Sequence, residues 1–149
     1  PVALKIPRLA EGHEQDGISR FFREARAAFR IRHPGICPVH DFGEIEGQHF
    51  ISMAYIEGHT LASVNKPVAE KQAAQIIRQL AEALQESHSK GIIHRDLKPT
   101  NVMIDEKQIP IIMDFGLARR EAMEVSRMTE TGAILGTPCY MPIEQVQGK

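Results

Sequence analysis

Apolar residues alternate or recur at helical spacing along most of this chain, and the pattern predicts strands and helices in a mixed order. Short, β-branched apolar runs indicate strands at residues 2–6, 39–44, 49–56, 102–104 and 109–113. Residues 18–31 and about 68–89 carry apolar side chains every three or four positions, which indicates two helices. Residues 8–17 and 117–140 are polar and show no clear period, so we expect loops there.

Both predicted helices have one apolar face and clear end signals. The face of the first helix consists of Ile18, Phe21, Phe22, Ala25, Ala28 and Phe29. The face of the second consists of Ala73, Ile76, Ile77, Leu80, Ala81 and Leu84. Pro34 and Gly35 end the first helix, Pro67 lies near the start of the second, and Gly91 follows its end. Between the second and third strands, Glu46-Gly47 predicts a turn.

Composition and charge narrow the class of protein. With 42% hydrophobic and 25% charged residues, the chain is typical of a globular domain. A net charge of −1 gives no global electrostatic reason to expect nucleic acid or an anionic membrane as a partner. We expect no membrane segment and no secretory leader in this chain, because no apolar run is long enough and the N-terminal residues are of the wrong type. Cys37 and Cys139 lie far apart, which predicts two free thiols in a cytoplasmic protein.

The strongest chemical signal lies in the second half of the chain. Residues 94–101 read His-Arg-Asp-Leu-Lys-Pro-Thr-Asn, and Asp114-Phe115-Gly116 begins eighteen positions after Asp96. These stretches place two carboxylates, a lysine and an amide at spacings that suit phosphoryl transfer from a magnesium–nucleotide complex. Asp41-Phe42-Gly43 repeats the second motif far upstream, where it cannot follow the first, so we interpret it as a strand start with a turn glycine.

Together with Val2-Ala3-Leu4-Lys5 and the order of elements, these motifs resemble eukaryotic-type serine/threonine protein kinases, and the Tyr140-Met141 region is most similar to bacterial ones. The resemblance covers nearly all of the chain. It implies an α+β, protein-kinase-like two-lobe fold that is truncated at both ends, from the third kinase strand through the activation segment. Residues 1–149 would then form a partial kinase domain, with about 1–55 in the small lobe and about 56–149 in the large lobe.

The resemblance also implies roles for the residues around the main motif. Asp96 would accept the proton of the substrate hydroxyl, and Lys98 would neutralise charge on the transferred phosphoryl group. A lysine at this position is typical of kinases that act on serine and threonine. Asn101 and Asp114 would bind Mg²⁺ through oxygen atoms.

Lys5 matches the strand lysine that contacts the nucleotide phosphates, and Glu24 matches the helical glutamate that pairs with it. The alternatives are a solvated strand lysine, and a solvent-facing glutamate beside Arg20 or Arg23. By the same resemblance, ATP would be held by Lys5, Ala3, Met53, Tyr55, Ile56 and Met103. A Met or Ile in such strands is otherwise ordinary core.

Several residues are expected to organise the loops. His94 and Phe115 would stack in an apolar column, and Arg95 would bind a phosphorylated residue of the activation segment. The hydroxyl residues expected there are the candidate phosphosites Ser126, Thr129 and Thr131, and Thr137, which would bond Asp96. Ordinary loop hydroxyls are the alternative.

The sequence departs from the family pattern in two ways. The glycine-rich phosphate loop would precede Pro1, and in the segment 140–145 proline stands one position early, with Ile143 in its place. The helices that would cover Ile76, Leu80 and Leu84 would lie beyond residue 149. We therefore expect that stripe to be partly bare and the isolated chain to be marginally stable.

These features predict transfer of the γ-phosphoryl group of ATP, with Mg²⁺, to serine or threonine hydroxyls of a protein substrate. One alternative is a pseudokinase or truncated kinase that acts as a binding module. Another is a small-molecule kinase of the same fold, such as an aminoglycoside phosphotransferase. The intact Lys5, Glu24, Asp96, Asn101 and Asp114 favour the enzyme over the first alternative, and the full 94–101 motif favours it over the second.

Overall fold

The computed structural model describes residues 1–7, 14–65, 67–115, 140 and 143. Six strands and two α-helices lie within these ranges. In chain order they are β1 (Val2–Lys5), α1 (Glu14–Phe29), β2 (Val39–Ile45), β3 (Gln48–Ala54), β4 (Gly58–Thr60), α2 (Glu70–Ser89), β5 (Val102–Asp105) and β6 (Pro110–Ile112). Short 3-10 helices span Leu61–Ser63 and Pro99–Asn101. The strands form two separate antiparallel sheets.

The first sheet has the order β1-β3-β2, so β3 is its central strand. Ala3 pairs with Met53 across β1 and β3. The β2–β3 hairpin turns through Glu46 and Gly47, both with positive φ (53° and 79°). This is the geometry of a two-residue turn whose twist matches the flanking strands. The predicted turn is therefore confirmed.

The other Asp-Phe-Gly motif lies inside β2 and not at its start. Gly43 pairs with Phe50 in mid-strand, so our interpretation of it as a turn glycine was wrong. Asp41 is exposed, and its Oδ1 accepts a hydrogen bond from the N–H of Phe42 at 2.8 Å. Phe42 turns its ring toward α1, where it lies 6.1 Å from the ring of Phe22.

The second sheet has the order β4-β5-β6, and β4 was not predicted. Its three residues show no apolar alternation, so their pairing with β5 is what makes them a strand. Gly58 allows this pairing, because a Cβ atom there would collide with the Ile104 carbonyl oxygen.

Helix α1 begins at Glu14, four residues before the predicted start, and includes Gly17. We had assigned residues 14–17 to a loop, and this was wrong. A glycine inside a helix costs only about 1 kcal/mol relative to alanine, and acidic residues such as Glu14 and Asp16 favour a helix start. Helix α2 ends at Ser89, and Gly91 follows this end as predicted. Gly91 has a φ of 72°, and its N–H donates to the His88 carbonyl at 2.9 Å.

Two apolar clusters hold these elements together. The first joins α2 to the second sheet and contains Ala28, Ile31, Ile36, Ile76, Leu80, Ala83, Val102, Ile104, Ile112 and Phe115. The second joins α1 to the first sheet and contains Phe21, Ala25, Cys37, Ile51, Met53 and Ile111. The expectation of a partly bare stripe was wrong for Ile76 and Leu80, because both are buried against β5 and β6. Leu84 is only partly buried. Among the large apolar residues of α2, Ile77 is exposed, at 64%.

Residues 35–37 connect the two sheets. The Ile112 N–H donates to the Gly35 carbonyl, and the Cys37 N–H donates to the Ile112 carbonyl, each at 2.9 Å. This backbone pairing fixes β6, and therefore the residues that follow it, relative to the end of α1. The division into lobes near residue 55 stays a prediction. Among the described residues, no helix is both long and apolar enough to cross a membrane.

Candidate active site

The segment that follows α2 folds back on itself through the Asn101 side chain. Asn101 Nδ2 donates to the Asp96 backbone carbonyl at 2.8 Å and to Asp96 Oδ2 at 3.0 Å. Lys98 Nζ lies 2.8 Å from the same Oδ2. Pro99 opens the 3-10 turn that places Asn101 in position. The result is one carboxylate oxygen fixed by an amide and an ammonium group.

The other oxygen of this carboxylate, Asp96 Oδ1, accepts no hydrogen bond from any residue within the described ranges. The Asp96 side chain is 25% exposed, so it is partly accessible to solvent. An anchored carboxylate with one oxygen open can accept a proton from a bound hydroxyl group.

His94 is buried and holds the Asp96 segment against the residues that follow β6. It is 2% exposed, and its ring lies 4.8 Å from the ring of Phe115, as the resemblance implied. Nε2 is 2.8 Å from the Met113 carbonyl, and Nδ1 accepts the Asp96 N–H at 3.3 Å. Because Nδ1 accepts, Nε2 carries the proton and donates it to Met113. Burial lowers the pKa of His94, which favours this neutral form.

Asp114 follows β6 and reaches across to β1. Its Oδ1 lies 2.6 Å from Lys5 Nζ, and the two side chains are 37% and 34% exposed. The Met113 N–H donates to the Asn101 carbonyl at 2.8 Å, so the backbone before Asp114 is tied to the Asp96 segment. Asp114 and Arg95 both have positive φ (54° and 67°), which non-glycine residues rarely adopt outside functional loops.

The structure therefore brings Lys5, Asp96, Lys98, Asn101 and Asp114 into one connected region. The Lys5–Asp114 pair was missed in the sequence, where the family motifs pointed only to Glu24 as the partner of Lys5. Glu24 lies within α1, but its side chain is outside the described part, so the Lys5–Glu24 pair stays a prediction. Pairing across such a sequence distance leaves no local signal that could have revealed it.

The predicted adenine contacts lie beside β1 and β3. Met53 is buried, and Ala3 and Ile56 pack against the same cluster. Met103 pairs with Ile111, a member of that cluster, across β5 and β6. Tyr55 is 56% exposed, and its expected contact with adenine, through the backbone, stays a prediction. Three of the predicted contacts, Ala3, Met53 and Ile56, thus belong to or pack against one apolar cluster that includes the neighbour of the Lys5 strand, and Met103 lies opposite one of its members.

Cys37 lies in the same apolar cluster, and no pattern in the sequence connects it with the site. Its Sγ donates to the Ala54 carbonyl at 3.5 Å. Burial, and secondarily the negative charge of Asp114, raise the pKa of this thiol to about 11. Cys37 is therefore a neutral, inert neighbour of the site at ordinary pH.

Two oxygen atoms of this region are suited to a hard cation. Asn101 uses its Nδ2 within the loop and Asp114 uses Oδ1 for Lys5, so Asn101 Oδ1 and Asp114 Oδ2 accept no hydrogen bond from the described residues. No group of three or more His, Cys, Asp or Glu side chains suited to a metal occurs in the described ranges. The two open oxygens, Asn101 Oδ1 and Asp114 Oδ2, fit Mg²⁺, which commonly takes one or two protein oxygens together with substrate phosphates and water.

The remaining predictions fall outside the described residues. These are Gly116, the candidate phosphosites Ser126, Thr129 and Thr131, the Asp96-bonding Thr137, and most of the segment 140–145.

Comparison with known proteins gives a consistent result. A family model for the protein kinase domain matches residues 1–149. The serine/threonine-protein kinase PknB of Mycolicibacterium smegmatis is 39% identical over 155 residues, which cover 99% of this chain and 25% of that protein. PrkC of Bacillus subtilis is 37% identical over 150 residues, covering 99% and 23%. The chain thus spans about a quarter of the length of the curated relatives it matches.

Solved structures agree with this fold. A structure titled PpkA-294 apo form aligns with a TM-score of 0.81 at 29% identity, covering 99% of this chain and 59% of that one. The kinase domain of Mycobacterium tuberculosis PknI aligns with a TM-score of 0.67 at 34% identity, covering 78% and 48%.

Proposed function

Because this chain belongs to the protein kinase domain family, we propose that it carries the active site of an ATP-dependent kinase that phosphorylates serine and threonine hydroxyls of proteins. The observation that carries the proposal is the Asp96 carboxylate. Lys98 and Asn101 hold its Oδ2, while Oδ1 has no donor among the described residues.

In this reaction, the acceptor hydroxyl oxygen forms a bond to the γ-phosphorus of ATP. The bond from that phosphorus to the β–γ bridging oxygen breaks, and ADP leaves with that oxygen. Asp96 Oδ1 orients the hydroxyl group and takes its proton. The Lys98 ammonium group holds the Asp96 carboxylate. From the same position, it can also neutralise the charge that develops on the transferred phosphoryl group.

ATP would lie between the apolar region around Met53 and the polar groups of Lys5 and Asp114. We propose that Lys5 contacts the α and β phosphates, and that Glu24 orients it from α1. Asn101 and Asp114 would hold Mg²⁺, which neutralises phosphate charge when bound. The open oxygens Asn101 Oδ1 and Asp114 Oδ2 support this assignment.

A protein acceptor with a serine or threonine is supported by Lys98 and by the printed names of the relatives, PknB and PrkC, which are serine/threonine-protein kinases. We also propose that Ser126, Thr129 or Thr131 is phosphorylated, with Arg95 as the group that binds the phosphate. Use of ATP supports a cytoplasmic location for this part of the protein.

Two alternatives to a protein kinase predict different results in a phosphoryl-transfer assay. A binding module would need no proton acceptor, and a small-molecule kinase would label a small acceptor and not a protein. The test is transfer of radiolabelled γ-phosphate to a generic basic protein, with Asp96→Asn as the variant. Loss of general base catalysis should lower the rate by about 10²–10⁴-fold, since the amide cannot accept the proton.

Glu106→Gln is the matched control, because it also removes one negative charge, from an exposed turn. It should label the protein at the wild-type rate. Equal labelling by Asp96→Asn and wild type would contradict the assignment of Asp96 and favour the binding module.

A further inference from the structure

Helix α1 has a strongly basic outer face. Residues 20–32 contain five arginines and a single acidic residue, Glu24, in a chain whose net charge is −1. Arg23 and Arg26 lie on α1, and Arg30 directly follows its last residue. All three are exposed, and their spacings of three and four positions place them on one side of the helix and of the turn that ends it. Their backbone positions span about 10 Å along the helix axis.

This face borders a groove between α1 and β2. The groove has a volume of about 520 Å³ and is lined by Arg23, Arg26, Ala27, Phe29, Arg30 and Phe42. The Phe29 and Phe42 rings meet edge to face, with centroids 6.0 Å apart, and Phe29 is 43% exposed. The groove thus combines an aromatic floor with a cationic rim.

No acidic side chain that the structure describes pairs with the cationic rim. None of Arg23, Arg26 and Arg30 forms an ion pair with another described residue. The Arg26 guanidinium lies 6.0 Å from the centre of the Phe42 ring, which holds it over the groove. Guanidinium groups bind carboxylates through paired hydrogen bonds, so this rim favours an anionic partner.

We propose that this groove docks an acidic peptide segment of a partner protein, with one apolar side chain of the segment against Phe29 and Phe42. The arginines are spread along the helix, so they match a row of carboxylates better than they match one phosphate group. The aromatic floor provides the apolar contact that anchors an interface. Nucleic acid is less suited, because the chain as a whole has no excess of positive charge.

The inference does not rest on the proposed function. The lining residues belong to α1, to Arg30 directly after it, and to β2, and none lies in the Asp96 or Asp114 segments. Binding can therefore be measured without ATP, and a failure of docking leaves the assignment of Asp96 untouched.

The test is fluorescence anisotropy with a fluorescein-labelled peptide that carries a central phenylalanine flanked by glutamates. Three comparison peptides replace the glutamates by glutamines, the phenylalanine by alanine, or the glutamates by a single phosphoserine. We expect each replacement to weaken binding by about tenfold or more, because each removes one of the matched features. Tightest binding by the phosphoserine peptide would overturn the choice of an acidic segment.

On the protein side, Arg23→Glu with Arg30→Glu should abolish binding, and Arg23→Gln with Arg30→Gln should weaken it. Lys71→Glu with Lys107→Glu is the matched control, since it changes the net charge equally at exposed positions outside the groove. Circular dichroism checks that the variants fold. Unchanged binding by the folded glutamine variant, or equal loss in the control, would overturn the proposal. So would an RNA oligonucleotide that binds more tightly than the peptide.

Discussion

The Lys5 ammonium group and the Asp114 carboxylate lie 2.6 Å apart, although 109 positions separate them in the chain. This ion pair joins β1 to the residue that follows Met113, whose own N–H is bonded to Asn101. The strand lysine, the Asp96 segment and the second carboxylate are therefore connected by direct contacts. Both members of the pair are about one-third exposed, so a bound nucleotide can reach them.

We expect Asp114→Asn to reduce phosphoryl transfer and to raise the Mg²⁺ concentration needed for half-maximal rate. The amide is a weaker ligand for a hard cation and loses the charge that pairs with Lys5. Initial rates over a range of Mg²⁺ concentrations measure both effects. A rate loss without any change in Mg²⁺ dependence would contradict the role of Asp114 as a metal ligand.

The chain supplies its own matched control in the other Asp-Phe-Gly motif. Asp41→Asn makes the same change at an exposed position of β2, and the asparagine oxygen can still accept the Phe42 N–H. We expect wild-type rates and wild-type Mg²⁺ dependence. Loss of activity in this variant would show that the two motifs are not distinguished by position, as we assume.

Cys37 should resist thiol reagents while the protein is folded. Its pKa of about 11 means that the reactive thiolate forms only well above neutral pH, and the side chain is also buried. In a Cys139→Ser background, we expect no labelling by a disulfide reagent near neutral pH, and one equivalent after addition of denaturant. Rapid labelling of the native protein would contradict the burial of this thiol.

Features set by local pattern were predicted well. The period of three and four apolar positions located α2 and placed Ile76 and Leu80 on its apolar face, and the two-residue turn at Glu46 located the first hairpin. The spacing from Asp96 singled out Asp114 and not Asp41, and Asp114 is the one that contacts Lys5. In each case the determining information lies within a short stretch or a fixed spacing.

Features set by distant partners were not predictable from the chain alone. Strand β4 exists because β5 pairs with it, and Gly58 permits that contact only in the folded state. The assignment of Ile77 to the apolar face of α2 was also wrong, since Ile76 and Ile77 are adjacent in sequence and only packing shows that the second is exposed. Local propensity does not contain this tertiary information.

His94 should make stability depend on pH in a predictable direction. Burial lowers its pKa in the folded state below the ordinary value of 6.5, so the unfolded chain binds the proton more readily. The free energy of unfolding should therefore keep the His94 contribution above about pH 6.5 and lose it as the pH falls, by at most about 1.4 kcal/mol per pH unit.

Urea unfolding of the wild type and of His94→Gln between neutral and mildly acidic pH isolates this contribution, because glutamine does not titrate. The wild type should lose more stability than the variant as the pH falls through this range. Parallel pH dependence of the two proteins would contradict a neutral, buried His94.

Leu80 and Ile77 test which face of α2 carries the stability of the fold. Leu80 is 7% exposed within the cluster that joins α2 to β5 and β6, so Leu80→Ala should lower the free energy of unfolding by about 2–5 kcal/mol. Ile77→Ala removes a side chain that is 64% exposed, on a helix that tolerates alanine. This variant should change the free energy of unfolding by less than about 0.5 kcal/mol. Urea unfolding of both variants measures the difference.

Because both replacements leave alanine on the same helix, similar losses would mean that Ile77 is also buried in solution, against another surface. A larger loss for Ile77→Ala would contradict the packing of α2 itself.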